Sequence, residues 1–202
     1  MFVRSKYLNN LSWNLNKDKT PYPFIFIDSF LKTETYKKIT EKFPTLKTFE
    51  NYGDIKGNNI QIRFAFNNFD QELDLFWKEF GSYFLNSDFF YNFCEFYEDD
   101  IKYLYPKIYY GIKKKNFKIG IQGIDNFEKC DVLLDFQIGI NTPVKEVTSV
   151  RGPHLDNKKT IYTALCYLKD SDDDTNSGHF TIYQLKRFKL LGLGSSRSIS
   201  LS

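Results

Sequence analysis

At 202 residues the chain can bury one sizeable core but is short for two ordinary domains. Its 28 Lys and Arg against 25 Asp and Glu leave a net charge of +3, too even for a dedicated nucleic-acid binder, and a charged share of 26% argues against a membrane protein. No apolar run approaches the roughly 18 residues of a spanning helix, and residues 1–13 lack the apolar stretch of a secretory signal. Three widely spaced cysteines, Cys94, Cys130 and Cys166, fit a reducing compartment rather than a disulfide framework, so a cytoplasmic location and no membrane partner are expected. The 21 Phe and 14 Tyr fall largely on periodic faces, which points to a core built from rings rather than to a stacking surface.

Residues 1–20 are polar and rich in Asn and Lys, an arm rather than a core element. After Pro21-Tyr22-Pro23, the run Phe24-Ile25-Phe26-Ile27 predicts a short buried strand. Thr33 or Thr35 can cap a helix carrying Tyr36, Ile39 and Phe43, which Pro44 stops. Ile60, Ile62, Phe64 and Phe66 alternate at strand period. Leu73, Phe76, Trp77, Phe80 and Phe84 make the clearest amphipathic helix, and a second follows Asn86-Ser87 and ends before Pro106. The basic run Lys113-Lys114-Lys115 reads as a solvated loop between strands, so nucleic acid is not an expected partner. Beyond residue 130 the period changes: Val132, Leu134, Phe136, Ile138 and Ile140 alternate as one strand, with further strands at 160–168 and 180–185. The tail LLGLGSSRSISLS, without acids or aromatics, differs from all that precedes it.

The chemistry centres on Arg151-Gly152-Pro153-His154-Leu155-Asp156. Two residues apart on an extended chain, His154 and Asp156 project to one side and can reach one metal ion. Imidazole plus carboxylate is two-thirds of the facial triad that binds non-haem Fe(II). Alone, an H-x-D pair is a weak signal.

The stretch HLDNKKTIYTALCYLKDSDDDTNSGHFTIY adds more. It resembles the 2-oxoglutarate/Fe(II) dioxygenases, specifically the prolyl-hydroxylase-like branch. The matching pieces are His154, Asp156, Thr163, Tyr167-Leu168, the acidic loop Asp170–Asp174, and Ser177-Gly178. The front half is also similar to phage and bacterial members, through Pro23 to Asp28, Phe30-Leu31 and Phe43-Pro44. The likeness spans residues 21–186. It implies His154 and Asp156 as metal ligands, and Thr163, Leu165, Tyr167 and Phe180 as an inner face around the cosubstrate. Tyr167 matches the position whose hydroxyl meets the distal carboxylate of 2-oxoglutarate. The implied cofactors are Fe(II), 2-oxoglutarate as cosubstrate, and ascorbate. The implied reaction is hydroxylation of an unidentified substrate coupled to decarboxylation of 2-oxoglutarate to succinate. By position, Arg151 flanks the site and reads either as a substrate contact or as part of a solvated loop.

The departures are as specific. The family's second His follows the first by about 50 residues or more and precedes an Arg or Lys, whereas this chain runs 48 residues past His154 and its other histidine is His179. Strand alternation turns His179 and Tyr183 away from Phe180. The expected fold is therefore α+β, a double-stranded β-helix (jelly-roll) core with N-terminal helices, truncated at the C-terminus. Its expected divisions are an arm at 1–20, a dioxygenase-like domain at 21–186 (helical 21–106, strands 107–186) and an atypical tail at 187–202. The expected function is a non-haem Fe(II)/2-oxoglutarate oxygenase, incomplete as written. The alternative is a catalytically degenerate jelly-roll binding or structural protein. An uncovered edge at 180–185 would favour oligomers, with the tail making no regular contacts.

Overall fold

A computed structural model describes residues 5–9, 18, 22–69, 73–148, 154, 156–157, 159–168, 180–184 and 197–201. These residues form an α+β protein in two compact units, one from residues 1–13 and 29–152, the other from 14–28 and 153–202.

The first unit holds the helices. Helix α1 (Thr33–Glu41) buries Thr35 and Ile39. Its N-cap is Lys32, with no side-chain cap bond, so the expected capping by Thr33 or Thr35 is corrected: Thr33 already lies inside the helix, and Thr35 is packed. After α2 (Leu46–Glu50), strand β1 (Gln61–Ala65) buries Ile62 and Phe64 and exposes Gln61 and Arg63, the alternation its sequence carries. Helix α3 (Leu75–Phe84) starts at Asp74, whose carboxylate accepts from Phe76 N–H at 2.8 Å and also pairs with Lys42 at 2.7 Å. The Lys42 ammonium, then the Phe76 amide, hold the Asp74 carboxyl below its ordinary range. Helix α4 (Ser87–Phe96) starts at Asn86, whose side chain accepts from Phe89 N–H at 2.8 Å.

Two expectations fail between residues 97 and 140. The stretch from Ser87 to Pro106 is two helices, α4 and α5 (Glu98–Leu104), and a third, α6 (Pro106–Lys113), follows where none was expected. Glu98, Asp99 and Asp100 fill the first turn of α5, where acids suit the helix dipole, and Pro106 opens α6 at a position that needs no N–H donor. Lys113 is thus the last residue of α6 rather than part of a loop between strands, and its ammonium bonds Glu98 at 2.7 Å.

The nine-residue alternation from Val132 is likewise two strands. β3 (Val132–Leu134) runs parallel to β2 (Ile119–Ile121), while β4 (Gln137–Asn141) runs antiparallel to β1, pairing Ile62 with Ile140 and Phe64 with Ile138. The break lies at Phe136, whose ring stacks on Phe84 at 5.7 Å and meets Phe69 and Phe80 edge-on at 6.0 and 5.9 Å. Period-two patterning cannot show that one apolar run serves two sheets. Phe136 and Phe66 also close over Gly81, where an added Cβ would lie 2.8 Å from the Phe66 ring. The core is a chain of rings, with Phe49, Phe69 and Phe90 at 0–1% exposure.

In the second unit, Phe24 forms an isolated bridge with Asp18 and Phe26 is 55% exposed, so residues 24–27 are not the buried strand expected. Residues 160–168 lie in no ladder among the described residues, although their composition favours a strand. Strand β5 (Phe180–Gln184) pairs antiparallel with β6 (Arg197–Leu201), which places regular structure in the tail expected to have none. No described helix is long and apolar enough to cross a membrane.

Candidate functional site

His154 and Asp156 lie together in the second unit. The His154 Nε2 stands 3.9 Å from Asp156 Oδ1, and both side chains are about half exposed, at 47% and 54%. They do not fall on opposite faces, which the spacing of two residues required. A protonated imidazole at this separation makes an ion pair with the carboxylate; a neutral one offers a lone pair beside it.

The next turn explains how a third group reaches them. Asn157 Oδ1 accepts from Lys159 N–H at 3.0 Å, and its carbonyl accepts from Thr160 N–H at 2.8 Å. An Asn that bonds its own backbone two residues on reverses the chain, so the following segment returns toward Asp156. Thr163 then donates from Oγ1 to Asp156 Oδ2 at 2.7 Å, the short contact expected of a hydroxyl on a carboxylate. Oδ2 is thereby occupied, while Oδ1 is the oxygen turned toward His154. The resemblance had implied Thr163 as a pocket-facing residue; its observed partner is the Asp156 carboxylate. Asn157 carried the sequence signal for this turn, since Asn after Asp and before two lysines is strong turn chemistry.

Tyr22 is a residue that sequence reasoning missed. Burial first, and then the negative charge of Asp156, raise its phenol above the ordinary range. The phenol therefore lies within electrostatic reach of the carboxylate. Its ring packs edge-on against Phe24 at 6.2 Å, and Phe24 is tied to Asp18 by two backbone bonds of 2.9 and 3.0 Å.

The other expected positions are not drawn together in this way. Leu165 and Tyr167 are 59% and 66% exposed, so the enclosed inner face expected of them is not present among the described residues. Phe180 opens β5, its side chain outside the description. Arg151 and His179 also lie outside the described residues. Among the described residues, no third His, Cys, Asp or Glu joins His154 and Asp156 in a metal-sized cluster. Cys94, Cys130 and Cys166 are unbridged.

Comparison of the chain with family models, with curated proteins and with solved structures returns no match.

Proposed function

We propose that this chain carries the metal-binding face of a non-haem Fe(II)/2-oxoglutarate oxygenase, with His154 and Asp156 as two of its ligands. The observation that supports it is the 3.9 Å separation of Nε2 and Oδ1. Nitrogen and oxygen ligands sit about 2.1 Å from a first-row divalent ion, so two at adjacent positions of a facial set stand roughly 3.0 Å apart, and these two half-exposed side chains would have to close by about 1 Å to take one ion. The donor set, one imidazole and one carboxylate, suits Fe(II) with open positions.

Bound with 2-oxoglutarate, Fe(II) would supply the oxidising power for hydroxylation. The work of the protein lies in its own side chains. Thr163 holds the outer carboxylate oxygen and so fixes the direction of the inner one. Tyr167 would meet the distal carboxylate of 2-oxoglutarate, Leu165 and Phe180 would wall its pocket, and Arg151 would face substrate. The jelly-roll arrangement and the use of ascorbate belong to the same reading, which rests on the resemblance.

A second reading is a catalytically degenerate binding or structural protein; the absence of a third ligand among the described residues favours it. Anaerobic equilibrium dialysis against Fe(II) separates the two. The oxygenase reading predicts one exchangeable ion, lost in His154→Ala and Asp156→Ala. No binding by the unaltered chain refutes the oxygenase reading.

A further inference from the structure

Helices α4, α5 and α6 line a cavity of about 150 Å³ in the first unit. Its floor is apolar, because Tyr91, Cys94, Ile101 and Ile112 are all buried. The Cys94 thiol, pushed up to about 12 by burial, brings no charge to it. Tyr91 is pinned by Phe117 N–H, which donates to its hydroxyl at 3.0 Å, so the floor is built in advance of any ligand. A cavity of about this size with apolar walls takes a benzene-sized molecule. The floor therefore suits one apolar side chain about as large as that of leucine.

The rim carries both signs of charge. Glu98 Oε1 accepts from the Tyr109 hydroxyl at 2.6 Å and from Lys113 Nζ at 2.7 Å, a clasp that ties the start of α5 to α6 and matches one carboxylate to one ammonium. Glu95 and Lys115 bring a second carboxylate and a second ammonium to the lining, and both are exposed. Lys115 stands where a lysine costs stability. Its N–H donates to the Ile112 carbonyl at 2.9 Å and the Asn116 N–H to the Gly111 carbonyl at 3.4 Å, the paired bonds of a Schellman turn closing α6. The residue at this place takes the left-handed conformation that favours glycine, and Lys115 has φ +52°. What the lysine adds is an ammonium 5.9 Å from the centre of the Tyr91 ring, above a wall of the cavity. A side chain kept in a strained position at the mouth of a cavity points to a use there.

We propose that this cavity binds a free α-amino acid with an apolar side chain of about leucine size. The side chain fills the floor, the carboxylate meets Lys115 and the α-ammonium meets Glu95, the two rim charges outside the Glu98 clasp. A rim of both signs also selects against near relatives of that ligand. A plain carboxylic acid leaves Glu95 without its cation, and a plain amine leaves Lys115 without its anion. The site uses residues of the first unit only and depends on neither His154 nor Asp156.

The test is titration calorimetry of the full chain with L-leucine, which is expected to bind saturably as one molecule per chain. 4-Methylpentanoate keeps leucine's side chain and carboxylate, and 3-methylbutylamine keeps its side chain and ammonium. Each is expected to bind about tenfold more weakly than L-leucine, for the loss of one charged hydrogen bond. Lys115→Gly is expected to weaken L-leucine binding about tenfold while raising the midpoint of urea unfolding, since glycine relieves the left-handed backbone. A variant that is more stable and binds worse has not lost its ligand by unfolding. Glu95→Gln is expected to weaken L-leucine similarly and to leave 4-methylpentanoate no weaker than before. No saturable binding of L-leucine overturns the proposal. So does either analogue binding within about twofold of L-leucine, or either variant binding L-leucine as tightly as the unaltered chain.

Discussion

Replacing Thr163 by Val removes one hydroxyl from the candidate metal site and preserves its shape. That hydroxyl donates to Asp156 Oδ2 at 2.7 Å, and the acceptor is a carboxylate. A hydrogen bond to a charged group contributes roughly 1.5–3 kcal/mol. The Asp156 side chain is 54% exposed, so water replaces part of what is lost and the smaller figure applies. About 1.4 kcal/mol is tenfold in an equilibrium constant, which meets the lower end of the roughly 10–100-fold loss seen when a partner behind a metal ligand is removed. Thr163→Val is therefore expected to weaken Co(II) or Fe(II) binding about tenfold, and Thr163→Ser to stay within about twofold, by anaerobic titration. Because Thr163 is exposed, urea unfolding of both variants is expected to stay within about 0.5 kcal/mol of the unaltered chain. A Val variant that binds metal as tightly as the parent, while Asp156→Ala does not bind, would show that Thr163 does not orient the carboxylate.

The buried Thr142 hydroxyl accepts from Ile60 N–H and donates to the Gly57 carbonyl, both at 2.7 Å, so Thr142→Val should cost about 2–4 kcal/mol in urea unfolding through two unsatisfied backbone groups. Phe69→Ala should cost about 3–5 kcal/mol, since the ring is 1% exposed and touches Phe64, Phe66 and Phe136. Burial pushes the Cys94 thiol up to about 12 and raises that of Cys166 too, but Cys94 is buried and Cys166 exposed, so iodoacetamide at pH 8 should modify Cys166 before Cys94, as peptide mass mapping can follow. The 202-residue chain with Fe(II), 2-oxoglutarate and ascorbate should form no succinate above a metal-free control, as two ligands alone hold the ion weakly; measurable succinate would mean that another group completes the set.

The helical part of the chain was legible because its rings recur at helical spacing, and Asn86, which marks the second start, accepts from Phe89 N–H as an N-cap does. Beyond Phe96 the signal weakened for physical reasons. Pro106 looked like a stop, but Pro is as much at home in a first helical turn, and α6 begins on it. The alternation through Phe136 was sound locally, yet alternation carries no information on which strand will pair, so the change of sheet was hidden. The tail was read from composition, which masked the alternation in Arg197-Ser-Ile-Ser-Leu201 that β6 uses. At the site, spacing brought His154 to Asp156, but the contact from Thr163 depends on a turn at Asn157, seven residues of chain folding back that no pairwise motif encodes.

The central claim is that His154 and Asp156 grip one metal ion, and the chain's two histidines make it directly observable. Imidazole resonances of the folded protein, assigned with a His179→Gln variant, can be followed by NMR as paramagnetic Fe(II) is added without oxygen. The account predicts that the His154 ring signals broaden first and that Asp156→Ala abolishes the effect. Broadening of His179 with His154 untouched, or no broadening of either ring, would contradict it.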